Sequence, residues 1–365
     1  MGDLFLILCA LAGASWIAYA AFARKVSARL QAVNSSHPPA GDVSGELTVL
    51  IPCRNEAEAL PHVLSDLQAQ SLPVRIVVID DASTDGTCDV ARNVGATCIP
   101  AEGSGKKAAL ATGFERVQTP WIATVDADVR LGKEWARNML ATAVHQNAAC
   151  VLGGVVIEAT PPTGWNRFQQ LEFAVMQVWI AGGVESRRLA MGSGANSVYA
   201  TEAYPVDALR PEWASGDDAF ALFALRQQGK SIRWCGHVEA RVSTTAVPNW
   251  RTLWQQRARW ASKTSGQDTE TRLTALTIAA LHGVFLALAI WAVADGSRDG
   301  WLVLAAFTAA KTWIDWRLLA TACRAFGLAQ RTDDALLFPF RYAFLVWGAW
   351  WQLLRGGVHW KGRPI

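Results

Sequence analysis

The stretch that decides the fold is Val74-Arg-Ile-Val-Val-Ile-Asp-Asp-Ala-Ser-Thr-Asp-Gly-Thr87, in which an apolar run ends in two acids and a turn. Leu47 to Ile51 is a second β-rich run, and residues 56–70 between the two runs carry apolar side chains at helical spacing. Trp121 to Val125 is a third apolar run. Strands that are apolar throughout and are separated by a helix predict a parallel sheet with both faces buried.

Acidic side chains follow two of these predicted strands. Asp80 and Asp81 end the second run, and Asp126 and Asp128 follow the third. Ligands of parallel sheets bind at the carboxyl ends of the strands, so these acids stand where a ligand is expected. Two carboxylates that point the same way repel each other, and Mg²⁺ is usually held by one or two carboxylates plus substrate phosphates. The alternative is a surface turn with solvated acids.

Three further segments combine charge with a position at a helix end. Gly103-Ser-Gly-Lys-Lys107 supplies lysine after a flexible turn, which suits a diphosphate, although the spacing of a P-loop is absent. Gly216-Asp-Asp218 opens a helical pattern, where acids could simply complement the helix dipole. Gln256-Arg-Ala-Arg-Trp260 precedes an apolar region, where the alternative reading is snorkelling at a membrane interface.

The composition indicates contact with a membrane. Hydrophobic residues make up 51% of the 365 residues and charged residues 18%, against about 25% charged in an average soluble domain. The net charge of +3 is too small to favour nucleic acid as a partner. The seven cysteines show no C-x-x-C pair and predict reduced, mostly buried thiols in a cytosol-facing domain, without a zinc site or a disulfide framework.

Apolar segments lie at both ends of the chain. Leu4 to Phe22 is long enough to cross a ~30 Å hydrocarbon core, and the basic residues Arg24 and Lys25 that follow it predict an anchor with residue 24 onward in the cytoplasm. Near the other end, Leu273 to Ala294 is a spanning candidate.

The last 65 or so residues are harder to assign from hydropathy alone. Trp301 to Leu319 is another spanning candidate, in which Lys311 and Asp315 stand at i,i+4 and are expected to pair and face a neighbouring helix. Ala335 to Leu354 contains Pro339 and is followed by a basic tail, which favours an interfacial or re-entrant helix over a crossing one.

The order of the motifs carries more information than any one of them. Ile51-Pro-Cys-Arg-Asn-Glu56, Val77 to Asp85, Asp126-Ala-Asp128, Gly216-Asp-Asp218 and Gln256-x-x-Arg-Trp260 together resemble the inverting family-2 glycosyltransferases. The likeness covers roughly residues 46–265 and is greatest to the membrane-bound branch, the ceramide glucosyltransferases and related bacterial lipid glycosyltransferases. The tail Trp360-Lys-Gly-Arg363 is similar to an ending common in that branch. The resemblance implies an α/β catalytic domain of GT-A fold, Rossmann-like with a mostly parallel sheet, between N-terminal and C-terminal transmembrane helices.

Carried over position by position, the resemblance implies a site for a nucleotide-sugar. Ala111 departs from the Asn that is frequent in the family's stretch after the lysine, which weakens the expected contacts there. The implied nucleotide-sugar-binding residues are Pro52, Arg54, Glu56, Asp81, Lys106, Asp126, Gln256, Arg259 and Trp260.

The resemblance also implies catalytic and metal-binding roles for four acids. Asp218 matches the general base of the family's E-D motif, and Asp217 stands where Glu is usual. Asp126 and Asp128 match the D-x-D pair, with Asp128 the principal ligand of Mg²⁺ or Mn²⁺.

The expected organisation is a transmembrane helix over 1–25, a linker over 26–45, the GT-A domain over 46–265 and membrane or interfacial helices over 266–365. The expected function is inverting transfer of one sugar from a nucleotide-diphosphate sugar, a UDP-sugar by expectation, to a hydroxyl of a membrane lipid. The expected location is a bacterial inner membrane with the catalytic domain in the cytoplasm.

Two other functions stay open at this stage. A processive polysaccharide synthase shares the Q-x-x-R-W motif but needs enough spanning helices to enclose a polymer channel. A non-catalytic subunit that binds nucleotide-sugar would have no need of the base at Asp218. Residues 165–180 are interpreted either as an interfacial helix that guides the lipid or as part of the core.

Overall fold

A computed structural model describes residues 9–21, 23–24, 45–187, 191–209, 216–267, 269–356, 359–360 and 363–364. Its centre is a seven-stranded sheet with the order β3-β2-β1-β4-β8-β6-β9. The strands described are β1 Leu47–Cys53, β2 Arg75–Asp80, β3 Thr97–Pro100, β4 Trp121–Thr124, β5 Arg130–Leu131, β6 Cys150–Gly153, β7 Val155–Glu158, β8 Ser197–Ala200, β9 Ile232–Cys235, β10 Val242–Thr245, β11 His359–Trp360 and β12 Arg363–Pro364.

The predicted parallel sheet is confirmed. Strands β1 to β4 are mutually parallel, with β1 paired to β2 on one side and to β4 on the other. Strand β8 runs antiparallel to both of its neighbours, β4 and β6, and β9 is again parallel to β6. The apolar residues of β1 are buried because helices cover both faces, so the acids that follow β2 and β4 come together at one edge of the sheet.

Helices flank the sheet and then continue into a separate apolar group. Residues 56–59 form a turn, so the helix predicted for 56–70 begins only at Leu60. The helices described are α1 Cys9–Ala21, α2 Leu60–Gln68, α3 Thr87–Asn93, α4 Lys106–Phe114, α5 Trp135–His145, α6 Gly164–Glu185, α7 Asp217–Gln227, α8 Trp250–Ala261, α9 Thr269–Asp295, α10 Arg298–Phe326 and α11 Thr332–Arg355.

A second sheet of three strands, in the order β5-β10-β7, lies beside the segment that follows β4. Asp66 of α2 holds it in place. The Asp66 carboxylate accepts from Arg130 Nε at 2.7 Å, from Arg130 Nη2 at 2.9 Å and from the Leu131 N–H at 3.0 Å. The acids Asp126 and Asp128 are therefore carried between two anchored strands, β4 and β5.

Helices α1, α9, α10 and α11 share an apolar core and also expose apolar side chains. Leu276 is 63% exposed, Val293 69% and Leu354 84%. Over the part of the chain that the structure describes, α9 between Thr271 and Asp295 is the one helix long and apolar enough to cross a membrane. The predicted anchor over 4–22 lies partly outside the described residues, which show a shorter apolar helix at Cys9–Ala21. The linker and the C-terminal tail also fall largely outside them.

The predicted pairing of Lys311 with Asp315 is confirmed. Lys311 Nζ lies 2.5 Å from Asp315 Oδ2, and both side chains are fully buried. Tyr19 of α1 donates its hydroxyl to the other oxygen of Asp315 at 2.5 Å. The pair thus joins α10 to α1 inside the apolar group.

The last apolar segment is one continuous helix, α11, that includes Pro339. It packs against α8 at Gly348, where an added Cβ would lie 2.0 Å from the indole of Trp254. Trp254 Nε1 also donates to the carbonyl of Phe344 at 3.2 Å. Glycine fits at position 348 because the Trp254 indole occupies the space that a side chain there would need.

Two expectations from the sequence need correction. Helix α6 is buried between the sheet and α10, so the core interpretation of residues 165–180 replaces the interfacial one. Cys88 and Cys98 form a disulfide, with their Cα atoms 5.8 Å apart, so the expectation of seven reduced thiols is wrong for these two. The pair joins α3 to β3, two elements that lie side by side in space, and local spacing does not reveal this. The other five cysteines are free, and four of them are buried.

Candidate active site

A cavity of about 700 Å³ opens at the carboxyl ends of β1, β2 and β4. All twelve site residues predicted from the sequence line it, although they come from six separate segments of the chain. These residues are Pro52, Arg54, Glu56, Asp81, Lys106, Asp126, Asp128, Asp217, Asp218, Gln256, Arg259 and Trp260.

The loops after β1 and β2 form one wall of the cavity and hold each other in place. Arg54 Nη1 donates to the carbonyl of Asp81 at 3.0 Å. The Asp81 side chain is buried, and its Oδ1 accepts from the N–H of Gly105 at 3.0 Å. Asp81 therefore fixes the glycine turn that precedes Lys106.

Side chains of the loop after β2 bond to the loop after β1. Ser83 Oγ accepts from the N–H of Asn55 at 2.9 Å, and Thr87 Oγ1 accepts from the N–H of Glu56 at 2.9 Å. Neither Ser83 nor Thr84 caps the helix that follows, because the cap of α3 is Gly86, with no side-chain bond. The polar residues of this loop build the cavity wall instead.

Lys106 lies at the centre of the acidic residues. Its Nζ is 2.6 Å from Asp126 Oδ1 and 3.4 Å from Asp217 Oδ2. Burial alone would lower the pKa of Lys106, but attraction to Asp126 and Asp217 outweighs burial and raises it. The ammonium therefore remains protonated and neutralises part of the charge of the acids.

Asp217 and Asp218 begin α7, and their environments differ. Burial would raise the pKa of Asp217, but the charges of Lys106 and Lys263 outweigh this effect and lower it. Asp217 is therefore a permanent anion paired with lysine. Asp218 accepts from the N–H groups of Gly194 at 3.3 Å and Ala219 at 2.8 Å, and its carboxylate lines the cavity.

Helix α8 carries the Gln256 to Trp260 segment and is fixed to α6 by a buried ion pair. Arg257 Nε donates to Glu172 at 3.1 Å, and Arg257 Nη2 makes a second, shorter bond to the same carboxylate. The Arg257 guanidinium also lies 4.2 Å from the ring centre of Trp260. Arg257, at a variable position of the motif, thus holds Trp260 against the cavity.

Sequence reasoning missed Lys263. Its Nζ lies 3.9 Å from Asp218 Oδ1, and the side chain is 12% exposed. Burial lowers the pKa of Lys263, and the nearby Asp218 and Asp217 offset this only in part. The signal was available in the spacing, because Lys263 follows Arg259 by four residues and helical continuation places both on one face.

The acids at the cavity are few, but they are of the type that binds a divalent cation. Among the described residues, no group of three or more His, Cys, Asp or Glu side chains is arranged to hold a metal ion. Asp128 is exposed at the cavity, and Asp126 is half-buried and shared with Lys106. One or two carboxylates are the usual protein contribution when substrate phosphates complete the shell of Mg²⁺, so the residues present fit such a cation.

The sheet order and the cavity at the strand ends define an α/β domain of the GT-A type. Residues 48–204 match the model of Glycosyl transferase family 2. This part of the chain is thus similar to a family 2 glycosyltransferase domain, in agreement with the resemblance in the sequence.

Two curated relatives come from Staphylococcus aureus, and both are named 4,4'-diaponeurosporenoate glycosyltransferase. The relative from strain bovine RF122 / ET3-1 is 37% identical over 114 residues, which cover 30% of this chain and 28% of the relative. The relative from strain MRSA252 is 43% identical over 89 residues, 23% of this chain and 24% of the relative. The chain thus spans about a quarter of the length of these relatives.

One solved structure is similar over most of both chains. It is the mannosyltransferase PcManGT from Pyrobaculum calidifontis in complex with GDP-Man and Mn²⁺, with a TM-score of 0.61 and 20% identity. The likeness covers 87% of this chain and 98% of that one. It shows that the two chains share a fold that includes helices beyond the sheet domain.

Proposed function

We propose that this protein transfers one sugar from a nucleotide-diphosphate sugar, a UDP-sugar by preference, to a hydroxyl of a membrane lipid, with inversion at the anomeric carbon. The observation that carries the proposal is the meeting of five distant motifs at one cavity of a family 2 domain. The acids, lysines and aromatic side chains that the chemistry needs are all present there.

The donor is bound at the strand ends in this proposal. Asp81 and Glu56 bind the nucleoside, and Arg259 and Lys263 lie where they neutralise the diphosphate. Mg²⁺ or Mn²⁺ held by Asp128 and Asp126 would stabilise the negative charge that develops on the leaving diphosphate. Positive groups aimed at developing charge in a buried site are usually the largest single contribution to catalysis.

Asp218 acts as the general base. Asp217 is unsuited to that task because its pKa is lowered by Lys106 and Lys263, which keep it paired. The acceptor oxygen forms a bond to the anomeric carbon while the bond from that carbon to the phosphate oxygen breaks, and Asp218 takes the acceptor's proton. A positioned base contributes typically about 10²- to 10⁴-fold. A single displacement needs no second carboxylate and inverts the configuration.

The acceptor is argued from the apolar helices. Helix α9 begins at Thr269, three residues after the short turn Ser262–Gly266 that carries Lys263, and Thr271 of α9 lines the cavity. A lipid held beside α9 therefore has a short path to Asp218. The name of the matched relatives supports glycosyl transfer, and the acceptor is inferred from this continuity.

The experiment measures two steps separately. Purified protein is first assayed for metal-dependent hydrolysis of UDP-sugars, and lipids from a glycolipid-free host expressing the protein are then analysed by mass for a new glycolipid. The variant Asp218→Asn is expected to lose the new glycolipid while it still binds the donor. Asp89→Asn, at an exposed position of α3, is the matched control. Wild-type turnover in Asp218→Asn would refute the assignment of the base.

A further inference from the structure

The cavity continues beyond the charged residues along one face of α6. Phe173, Met176, Gln177 and Ile180 line it, and their spacing of three and four residues places them on a single helix face. Val155 and Ile157 of β7 line the same region. A nucleotide diphosphate is too polar to bind against these apolar side chains, so this region fits a different, largely apolar molecule.

Gln177 is a polar residue on the apolar face, and only one end of its side-chain amide is hydrogen-bonded. Its Oε1 accepts from the N–H of Val155 at 3.1 Å. Its Nε2 is buried, with the residue 1% exposed, and finds no hydrogen-bond partner among the described residues. The carbonyl oxygen of the amide thus has a structural role, and its N–H donors are available to a ligand.

Gln267 is a second such residue, between the Ser262–Gly266 turn and α9. It lines the cavity and is 3% exposed, yet neither Nε2 nor Oε1 has a hydrogen-bond partner within the described part of the chain. The backbone of Gln267 is well fixed: its N–H donates to the carbonyl of Thr264 at 3.2 Å, and Arg272 Nε donates to its own carbonyl at 2.8 Å. Its unpaired amide therefore sits at a firmly held position.

Gln169, on the same side of the cavity, has a side-chain amide with both ends hydrogen-bonded. It precedes Phe173 by one helical turn and also lines the cavity, but its Oε1 accepts from the N–H of Val247 at 2.9 Å and its Nε2 donates to the Val247 carbonyl at 3.0 Å. Buried polar groups are ordinarily paired in this way, and an unpaired one destabilises the protein. The leftover groups of Gln177 and Gln267 therefore point to a ligand.

We infer that Gln177 and Gln267 form a binding site for the polar end of the acceptor, an elongated apolar molecule with an uncharged hydrogen-bonding group next to its attacking hydroxyl. This inference rests on the proposed function for the identity of the attacking group. Gln177 Nε2 donates to that neighbouring group, and Gln267 both donates and accepts. Neutral amides satisfy a neutral group without leaving an uncompensated buried charge, so an anionic headgroup is disfavoured.

The test compares two apolar probes that differ by one hydroxyl, 1,2-dodecanediol and 1-dodecanol. Binding of each to the full chain in nanodiscs, with UDP present, is measured by calorimetric titration. We expect the diol to bind about two- to tenfold more tightly, the value of one or more neutral hydrogen bonds. Gln267→Met and Gln177→Met, which remove the amide donors, are each expected to remove this preference. Equal binding of the two probes to the wild-type protein, or an unchanged preference in both variants, would overturn the inference.

Thermal stability supplies a second readout and a matched control. Gln267→Met removes two unpaired buried atoms and is expected to raise the melting temperature, whereas Gln169→Met breaks two bonds and is expected to lower it. If Gln267→Met lowers the melting temperature as much as Gln169→Met does, Gln267 has a structural role and the inference is wrong.

Failure of this inference and failure of the proposed function give different results. If the protein hydrolyses UDP-sugars but the glutamine variants keep the diol preference, the subsite is wrong and glycosyl transfer stands. If the diol preference depends on the glutamines but no UDP-sugar is bound or hydrolysed, the subsite stands and the proposed donor is wrong.

Discussion

Lys106 and Asp126 form a direct ion pair, with 2.6 Å between Lys106 Nζ and Asp126 Oδ1. The first acid of the Asp126-Ala-Asp128 segment after β4 is thereby bound to the first residue of α4. The same ammonium lies 3.4 Å from Asp217, so one cation links the acid that follows β4 to the acid that begins α7. This arrangement makes Lys106 the electrostatic centre of the site.

Lys106→Met is expected to reduce kcat/KM for the donor about 100-fold, a size typical for loss of one group that stabilises developing charge. Without Lys106, Asp126 and Asp217 repel each other and the incoming diphosphate. Lys106→Arg keeps the charge and should recover part of the rate. Steady-state kinetics with a UDP-sugar would measure both variants, and equal rates for Met and wild type would show that the lysine has no role in the reaction.

Lys263 is expected to set an alkaline limit on activity. Burial lowers its pKa below the usual lysine value, so its positive charge is present at low pH and is lost as the pH rises through that lowered pKa. Transfer should therefore decline at a pH below 10.5, the ordinary value. Lys263→Arg is expected to move the decline to higher pH, as a pH–rate profile would show. A decline that stays at the same pH in Lys263→Arg would assign it to another group.

Glu172→Gln is expected to destabilise the protein by about 3–5 kcal/mol, since it leaves the buried Arg257 guanidinium without its counter-ion. Replacing both partners, as Glu172→Leu with Arg257→Leu, should lower stability by much less than the sum of the two single changes. No unpaired buried charge remains in the double variant. Melting temperatures in detergent of the wild type, Glu172→Leu, Arg257→Leu and the double variant give the double-mutant cycle. Additive losses would mean that the pair does not hold α8 against α6.

Asp66→Asn is expected to lower stability by about 1 kcal/mol at neutral pH, a value discounted because Arg130 is half exposed. Burial would raise the pKa of Asp66, but the bonds from Arg130 and Leu131 outweigh it and lower the pKa below 3.8. A lowered pKa stabilises the fold above the unfolded pKa of about 3.9, and this contribution is lost as the pH falls through the folded value.

The gap in melting temperature between wild type and Asp66→Asn should therefore narrow as the pH falls below about 4. Asp89→Asn, whose partner Arg92 is exposed, is the control and should show almost no gap at any pH. A gap that is constant from neutral to acid pH would exclude an ionic role for Asp66.

The sheet and the positions of its acids were predictable because the information is local. Apolar runs identified β1, β2 and β4, and the rule that parallel strands bind ligands at their carboxyl ends placed Asp81 and Asp126 together. The i,i+4 spacing also predicted the pair of Lys311 and Asp315, which the structure shows fully buried.

Features that depend on distant pairing were not predictable in this way. The antiparallel strand β8 enters between β4 and β6 after a helix of 22 residues, and no local pattern gives that order. The disulfide of Cys88 with Cys98 follows from the packing of α3 beside β3. The orphan amides of Gln177 and Gln267 become visible only when the hydrogen bonds of the whole wall are counted.

The close approach of Gly348 to Trp254 has a consequence for how the protein responds to its surroundings. Helix α8, which carries Arg259 and Trp260, rests on α11 through the indole of Trp254, which fills the space beside Gly348. A tilt of α11 is therefore transmitted to α8 through a rigid aromatic ring. In a bilayer whose thickness changes that tilt, the acyl-chain length of the surrounding lipids would therefore alter turnover at the site.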